Sequence, residues 1–198
     1  MKLIFVRHGE TYANAIGMIS GQTESSYSRL NETGIMQAKR AAEKLKDKKV
    51  EIIYCSDMVR TLQTANEIHK FHKDVPLVKD KMLRERKYGT FEGKVMRGTE
   101  KDEFYKARYG VGKMIGGGEQ LEDAYDRVYN EISRILSLHK DGNVMIVAHS
   151  GVGRLLVAII KGIRIDDIPK IVEQPKNAEP LEFEFNELEY LGAKTYKS

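Results

Sequence analysis

At 198 residues the chain is long enough for one domain with a full hydrophobic core, or slightly more. Its composition, 41% hydrophobic and 31% charged, is that of an ordinary soluble protein, and a net charge of +4 is too mild to imply generic nucleic-acid binding. A single cysteine, Cys55, excludes an intramolecular disulfide framework and suits a reducing cytosol.

The first stretch with chemistry in it runs from Leu3 to Asn14. Leu3 to Val6 is a short unbroken apolar run, the pattern of a strand buried on both faces of a parallel sheet. It ends at Arg7, His8, Gly9 and Glu10, so the strand delivers a cation and an imidazole to the carboxyl edge of the sheet, where open α/β folds bind ligands. Gly9 permits a sharp turn and a close backbone approach. Met1 to Val6 is too short for a signal-peptide core, and Leu155 to Ile160 is too short to cross a bilayer, so a cytoplasmic protein without a membrane partner is expected.

Tyr12 to Ser28, rich in Gly, Ser, Thr and Gln, reads as an irregular loop. Asn31 caps a helix with apolar residues at Ile35, Ala38, Ala41, Ala42 and Leu45. Val50 to Cys55 is a second buried strand, with Cys55 a small apolar filler rather than a nucleophile. Asp57 or Ser56 then caps a helix reaching about His72. His69 and His72 stand three apart at its end, which fits favourable charge near a helix C-terminus better than a metal site. Val75 to Val78 is a short third strand.

Residues 80–117 are the least regular part, read as a lid-like excursion over the sheet edge with one short helix near Glu100 to Arg108. A long amphipathic helix spans about Glu119 to His139. Val144 to Ala148 is another buried strand, and His149-Ser150-Gly151 opens a helix through Ile160. Leu181 to Phe185 and Glu189 to Tyr196 alternate like edge strands. Strands alternating with helices predict one α/β domain over residues 1–198, built as a three-layer α/β/α sandwich with a mostly parallel sheet.

Charge is unevenly spread. Lys81 to Lys113 holds ten Lys/Arg against five Asp/Glu, while Glu173 to Glu189 holds six Glu and one Lys. A basic middle fits either an anionic small substrate or a solvated charged face.

His149 repeats the logic of His8, at the end of a second buried strand. Two such strands can bring both rings to one phosphate-sized site. A third strand ends at Cys55-Ser56-Asp57, and the helix after it carries Arg60 in its first turn. Arg7 and Arg60 then supply planar, permanently charged forks for phosphate oxygens.

These segments together resemble the histidine phosphatase superfamily: Leu3 to Thr11 with Asn14, Ser56-Asp57 with Arg60-Thr61 and Gln63-Thr64-Ala65, and Ala148-His149-Ser150-Gly151. Leu83 to Gly93 is similar to the family's acid-bearing stretch. The resemblance implies phosphoryl transfer through a phosphohistidine on His8, with Arg7, Arg60 and His149 holding the phosphoryl oxygens and Asn14 assisting. It implies that the second ring nitrogen of His8 donates to a backbone carbonyl. It makes Glu85 the general acid and base, ahead of Glu92 and Glu10, and it implies no metal or other cofactor.

The resemblance divides between two activities. Glu85-Arg86-Lys87-Tyr88-Gly89 is similar to a phosphoglycerate mutase stretch, and Ser20-Gly21 stands where mutases contact substrate carboxylate, which would give Arg86 and Tyr88 a phosphorylated hydroxy-acid to bind. Ser150 and Gly151 join the expected substrate-binding set. Lys87 departs from the mutase histidine, and a chain ending about 50 residues after His149 offers little to keep water off a phosphohistidine. Gly116-Gly117-Gly118-Glu119 looks like the smaller phosphatases. The reading is a phosphatase for small phosphorylated metabolites, with mutase as the alternative and a non-catalytic phosphate-binding module less favoured. Neither an oligomeric state nor a nucleic-acid partner is implied.

Overall fold

The computed structural model describes residues 1–110 and 112–185. Its centre is strand β1 (Lys2–Arg7), whose Leu3, Ile4, Phe5 and Val6 are all buried. Because side chains alternate along a strand, this one run feeds two cores. Leu3 and Phe5 join an apolar cluster with Val144, Ile146 and the inward faces of two long helices, while Ile4 and Val6 join a second cluster with Met145 and Val147 on the opposite face.

The chain continues through a short helix α1 (Tyr12–Ala15), α2 (Glu32–Leu45), β2 (Ile52–Ser56), α3 (Val59–His69) and β3 (Leu77–Asp80). Then come α4 (Gly98–Arg108), α5 (Leu121–Leu138), β4 (Asn143–Ala148), α6 (Ser150–Lys161), the short α7 (Ile168–Ile171) and β5 (Pro180–Glu184). The sheet order is β3-β2-β4-β1-β5. The first four strands are parallel and β5 runs antiparallel along β1. Helices α5 and α6 cover one face, and residues of α2 and α3 pack on the other, giving the expected three layers. Among the described residues no helix is long and apolar enough to cross a membrane.

Several local expectations shift. Tyr12 to Ser28 is not wholly irregular: Thr11 and Asn14 form a reciprocal capping box around the single turn of α1. Asn31 caps α2 as expected, its side chain accepting from Gly34 N. Helix α3 is capped by neither Ser56 nor Asp57: its N-cap is Met58, which makes no side-chain cap bond. Asp57 is instead paired with Arg84, Nε to Oδ1 and Nη2 to Oδ2 both at 2.6 Å. His69 and His72 end on two different backbone carbonyls, those of Val75 and Leu45, rather than simply offering charge to a helix terminus. The second tail segment, Glu189 to Tyr196, lies outside the described residues.

The 80–117 excursion has a small core of its own. Tyr88, Phe91, Met96, Phe104, Ala107 and Met114 bury one another, with Ile19 packed against them. Phe104 stands edge-on to both Tyr88 and Phe91, at centroid distances of 5.2 and 5.4 Å.

Where β1 leaves the sheet, its turn is pressed against the start of α2. A Cβ on Gly34 would stand 1.9 Å from the carbonyl oxygen of Glu10, and one on Gly9 would stand 2.4 Å from the carbonyl oxygen of Gly34. Backbone meets backbone here, so neither side can yield cheaply. Gly34→Ala is expected to lower stability by about 1–3 kcal/mol or more, as overpacking does. Met36→Ala, on the exposed face of the same helix, is expected to stay within about 0.5 kcal/mol. Urea denaturation of the two variants measures the difference.

Candidate active site

Register fixes the heart of the site. Arg7 of β1 lies opposite Ala148 of β4 in a parallel ladder, so the next residues, His8 and His149, emerge side by side. Their ring centroids are 5.4 Å apart with an interplanar angle of 62°. Strand β2 lies on the far side of β4 and ends at Ser56, whose Oγ is 2.8 Å from His149 Nε2. Helix α3 follows at once and turns Arg60 inward, where it is 2% exposed.

The hydrogen bonds of these four residues leave a pattern. His8 Nδ1 is 2.7 Å from Gly9 O, and since a carbonyl only accepts, Nδ1 carries the proton and Nε2 holds the free lone pair. Arg7 Nη1 donates to Pro175 O, and Arg60 Nη2 donates to Gly21 O. Arg7 Nε, Arg60 Nη1 and His149 Nδ1 are buried and have no hydrogen-bond partner among the described residues. Buried polar groups are ordinarily satisfied, and three unsatisfied nitrogens around one imidazole face form a binding site for an anion rich in oxygens.

Burial and mutual repulsion set the protonation of the rings. Burial first, then the Arg60 and Arg7 guanidinium groups, holds His8 well below the ordinary histidine value. His149 is held down in the same way, by burial, Arg60 and His8. Both imidazoles are therefore neutral at neutral pH. His149 Nε2 shares a hydrogen bond with the Ser56 hydroxyl, which leaves Nδ1 as the ring nitrogen without a partner among the described residues. Burial also lowers Arg7 and Arg60, with the Glu85 carboxylate opposing the shift in each.

Glu85 is buried at the rim of this cluster. Its Oε1 accepts from Arg86 N at 2.9 Å, and its Oε2 accepts from Gly151 N at 3.1 Å. The two rival carboxylates are committed elsewhere. Glu92 accepts from Tyr88 N, Gln22 N and Thr23 Oγ1, bracing the 20–23 loop against the excursion. Glu10 Oε1 accepts from Asn31 Nδ2 at the start of α2.

The remaining expected residues divide. Gly151 lies beside Glu85. Tyr88 is buried on a narrow cleft that Gly151 also lines. Ser150 Oγ donates to Gln174 Oε1 at 3.3 Å. Asn14 is exposed, and its carboxamide oxygen accepts from Thr11 N, so it holds the turn after β1. Ser20 is half-buried and its carbonyl accepts from Thr23 N. Gly21, at φ +52, gives its carbonyl to Arg60, which ties it to the guanidinium rather than to a substrate carboxylate. Arg86 is engaged within the protein. Its guanidinium donates to the carbonyls of Glu119, Arg108 and Ala107, at 2.7, 2.7 and 3.3 Å, and is thereby used to fasten the excursion together.

Sequence reasoning gave no role to several residues that hold the site. Asn177 Nδ2 donates to His8 O, and Thr64 Oγ1 accepts from Gly9 N while donating to Arg60 O. Gln22 Nε2 donates to Glu85 O. Arg127 of α5 makes a double ion pair with Glu119 and also donates to the carbonyls of Met82 and Arg84. Thr64 stood inside a quoted motif. The other three carry no local signal, because their partners are far along the chain.

The sequence model described as the histidine phosphatase superfamily (branch 1) matches residues 3–190. The chain is 38% identical over 162 residues to phosphoglycerate mutase-like protein 4 of Arabidopsis thaliana, covering 78% of this chain and 69% of that one. It is also 38% identical over 163 residues to the metal-independent phosphoserine phosphatase of Arabidopsis thaliana, covering 78% and 66%. Among solved structures, YhfR of Bacillus stearothermophilus superimposes with a TM-score of 0.83 at 26% identity, over 93% of this chain and 91% of that one. With two histidine-ended strands in register, an arginine pair around them and a family match across almost its whole length, the chain belongs to the histidine phosphatase superfamily.

Proposed function

We propose that the protein is a phosphomonoester hydrolase for small phosphorylated metabolites, working through a phosphohistidine on His8. The observation that carries this reading is the set of partnerless buried nitrogens on Arg7, Arg60 and His149 around the free face of His8. They supply fixed positive charge and N–H groups to phosphoryl oxygens whose charge persists through a loose transition state.

In the first step His8 Nε2 attacks phosphorus; the P–N bond forms as the ester P–O bond breaks, and Glu85 passes a proton to the leaving alkoxide. In the second step Glu85 takes a proton from water as the water oxygen attacks phosphorus. The P–N bond breaks, inorganic phosphate leaves and His8 returns to its neutral form. The Nδ1–H to Gly9 O bond keeps Nε2 unprotonated and aimed throughout.

The phosphatase named among the relatives supports hydrolysis, and the mutase-like relative keeps isomerisation as the second reading. Incubation with 3-phosphoglycerate separates them. Phosphate release at the rate of substrate loss is expected, and rapid isomerisation without phosphate release would overturn the proposal. His8→Ala is expected to lower phosphate release from p-nitrophenyl phosphate by at least about 10³-fold, the usual scale for a lost nucleophile that acts within a catalytic unit. Equal rates for wild type and variant would leave a binding module as the better account.

Protonation gives an independent check on the buried rings. In the unfolded chain both histidines take up a proton below about pH 6.5, whereas in the fold both resist it. The unfolded state then binds more protons, so stability is full above that pH and falls as the solution is acidified. The melting temperature is expected to drop between pH 7.5 and 5.5, and His8→Ala is expected to flatten part of that drop.

A further inference from the structure

The parallel ladder between β1 and β4 ends at Arg7 and Ala148, and the N–H of His8 still donates to Ala148 O at 3.0 Å. The peptide unit that joins His8 to Gly9 is held differently, by a side chain at each end. Its carbonyl, His8 O, accepts from Asn177 Nδ2 at 2.8 Å, and its N–H donates from Gly9 to Thr64 Oγ1 at 3.0 Å. The oxygen and the N–H of a trans peptide point opposite ways, so the two side chains fix the plane from both sides. Thr64 is fully buried on α3, and its hydroxyl donates in turn to Arg60 O at 2.9 Å.

This peptide is the one that most needs holding. Gly9 is required there because a Cβ would run into the carbonyl of Gly34, and a glycine brings backbone freedom with it. Turning the 8–9 plane changes ψ of His8 and φ of Gly9, which swings Gly9 O away from His8 Nδ1. That hydrogen bond is what leaves Nε2 as the attacking nitrogen.

The segment that carries Asn177 is itself anchored for the task. Pro175 O accepts from Arg7 Nη1 at 2.9 Å, and Ala178 N donates to Arg7 O at 2.8 Å, so Ala178 and Asn177 take consecutive carbonyls at the end of β1. Ala178 is buried and, among the described residues, is the one non-glycine with a positive φ, +50°. Backbone strain of this kind persists only where the surroundings over-determine it, and it collects at functional sites.

We propose that Asn177 and Thr64 are positioning residues for the nucleophile, clamping the His8–Gly9 peptide so that the ring stays bonded to Gly9 O with Nε2 aimed at phosphorus. The inference rests on the phosphatase reading above. The clamp acts through His8 and not on the phosphate, so its loss falls on turnover more than on anion binding.

The test measures phosphate release from p-nitrophenyl phosphate, competitive inhibition by inorganic phosphate, and melting temperature. Asn177→Ala and Thr64→Val are each expected to lower kcat by about 10- to 100-fold, the scale of a small misplacement of a reacting group, with the phosphate Ki moving by less than about threefold. Thr64→Ser, which keeps the hydroxyl, is expected to retain kcat within about threefold, as is Lys176→Ala on the exposed side of the same segment. Because both side chains hold one peptide, the double variant is expected to lose far less than the product of the two single losses. Single losses that multiply overturn the clamp, as does a folded Asn177→Ala or Thr64→Val with wild-type kcat, or a phosphate Ki that weakens in step with kcat. If Asn177→Ala does not fold, the contrast between Thr64→Val and Thr64→Ser decides alone. An active wild type with indifferent variants sinks only the clamp, whereas a wild type that releases no phosphate sinks the hydrolase reading and the clamp with it.

Discussion

Like charges at close range, kept out of water, are the constraint from which the site follows. Arg7, Arg60, His8 and His149 meet at one sheet edge, and each guanidinium depresses the protonation of the imidazoles beside it. Such a cluster holds together only if the rings stay neutral and the guanidinium groups find acceptors. The fold provides those acceptors from its own backbone, Pro175 O for Arg7 and Gly21 O for Arg60, and leaves the remaining N–H groups facing inward. The repulsion that would destabilise the site is therefore the same field that suits it to an anion, and it adds to burial in keeping His8 unprotonated.

The one acid in this field has to be placed as tightly as the bases, and it comes from the least regular part of the chain. Glu85 is held through its neighbours on both sides. Arg84 is pinned to Asp57 by its side chain and to Arg127 by its carbonyl, while Arg86 fastens the excursion behind it. Gln22 takes the Glu85 carbonyl itself, and Glu92 ties the same 20–23 loop to Tyr88 N. Three carboxylates in this region thus divide the work: Asp57 and Glu92 brace, and Glu85 is held by the N–H groups of Arg86 and Gly151 at the edge of the phosphate cluster. A carboxyl on a loop becomes a precise group because the residues on both sides of it are fastened by hydrogen bonds to other parts of the fold.

What could be read from the sequence follows the range of the interaction. The strands ending at His8 and His149 were legible because burial on both faces writes itself as an apolar run, and the chemistry sits at the residue where the run stops. Helix α2 was legible from Asn31 and its spacing, since a cap and its target are three residues apart. Asp57 was misread as a cap for a related reason: an acid just before a helix is a strong local signal, and its true partner, Arg84, lies 27 residues on. Helix α1, a single turn, has too few residues to show a period. The partners that orient His8 O and Arg7, from residues 175–177, belong to a stretch with no pattern of its own and enter only because β5 returns along β1.

Arginine shows the limit most plainly, because composition cannot say where its five N–H groups go. The basic stretch from Lys81 to Lys113 offered two readings, a field for an anionic substrate or a solvated face, and the structure divides it residue by residue. Lys81, Lys87, Lys94, Arg97, Lys101, Lys106 and Lys113 are exposed. Arg84 is neutralised by Asp57, and Arg86 is saturated by carbonyls. Arg108 alone among these ten is turned into the cleft with its guanidinium uncommitted, at the end of a helix whose sequence marks it no differently from Lys106 two residues earlier. Ten cations in a segment say little about what it binds. What each does is set by the acceptor that the fold brings to it: a carboxylate for Arg84, carbonyls for Arg86 and aromatic faces for Arg108.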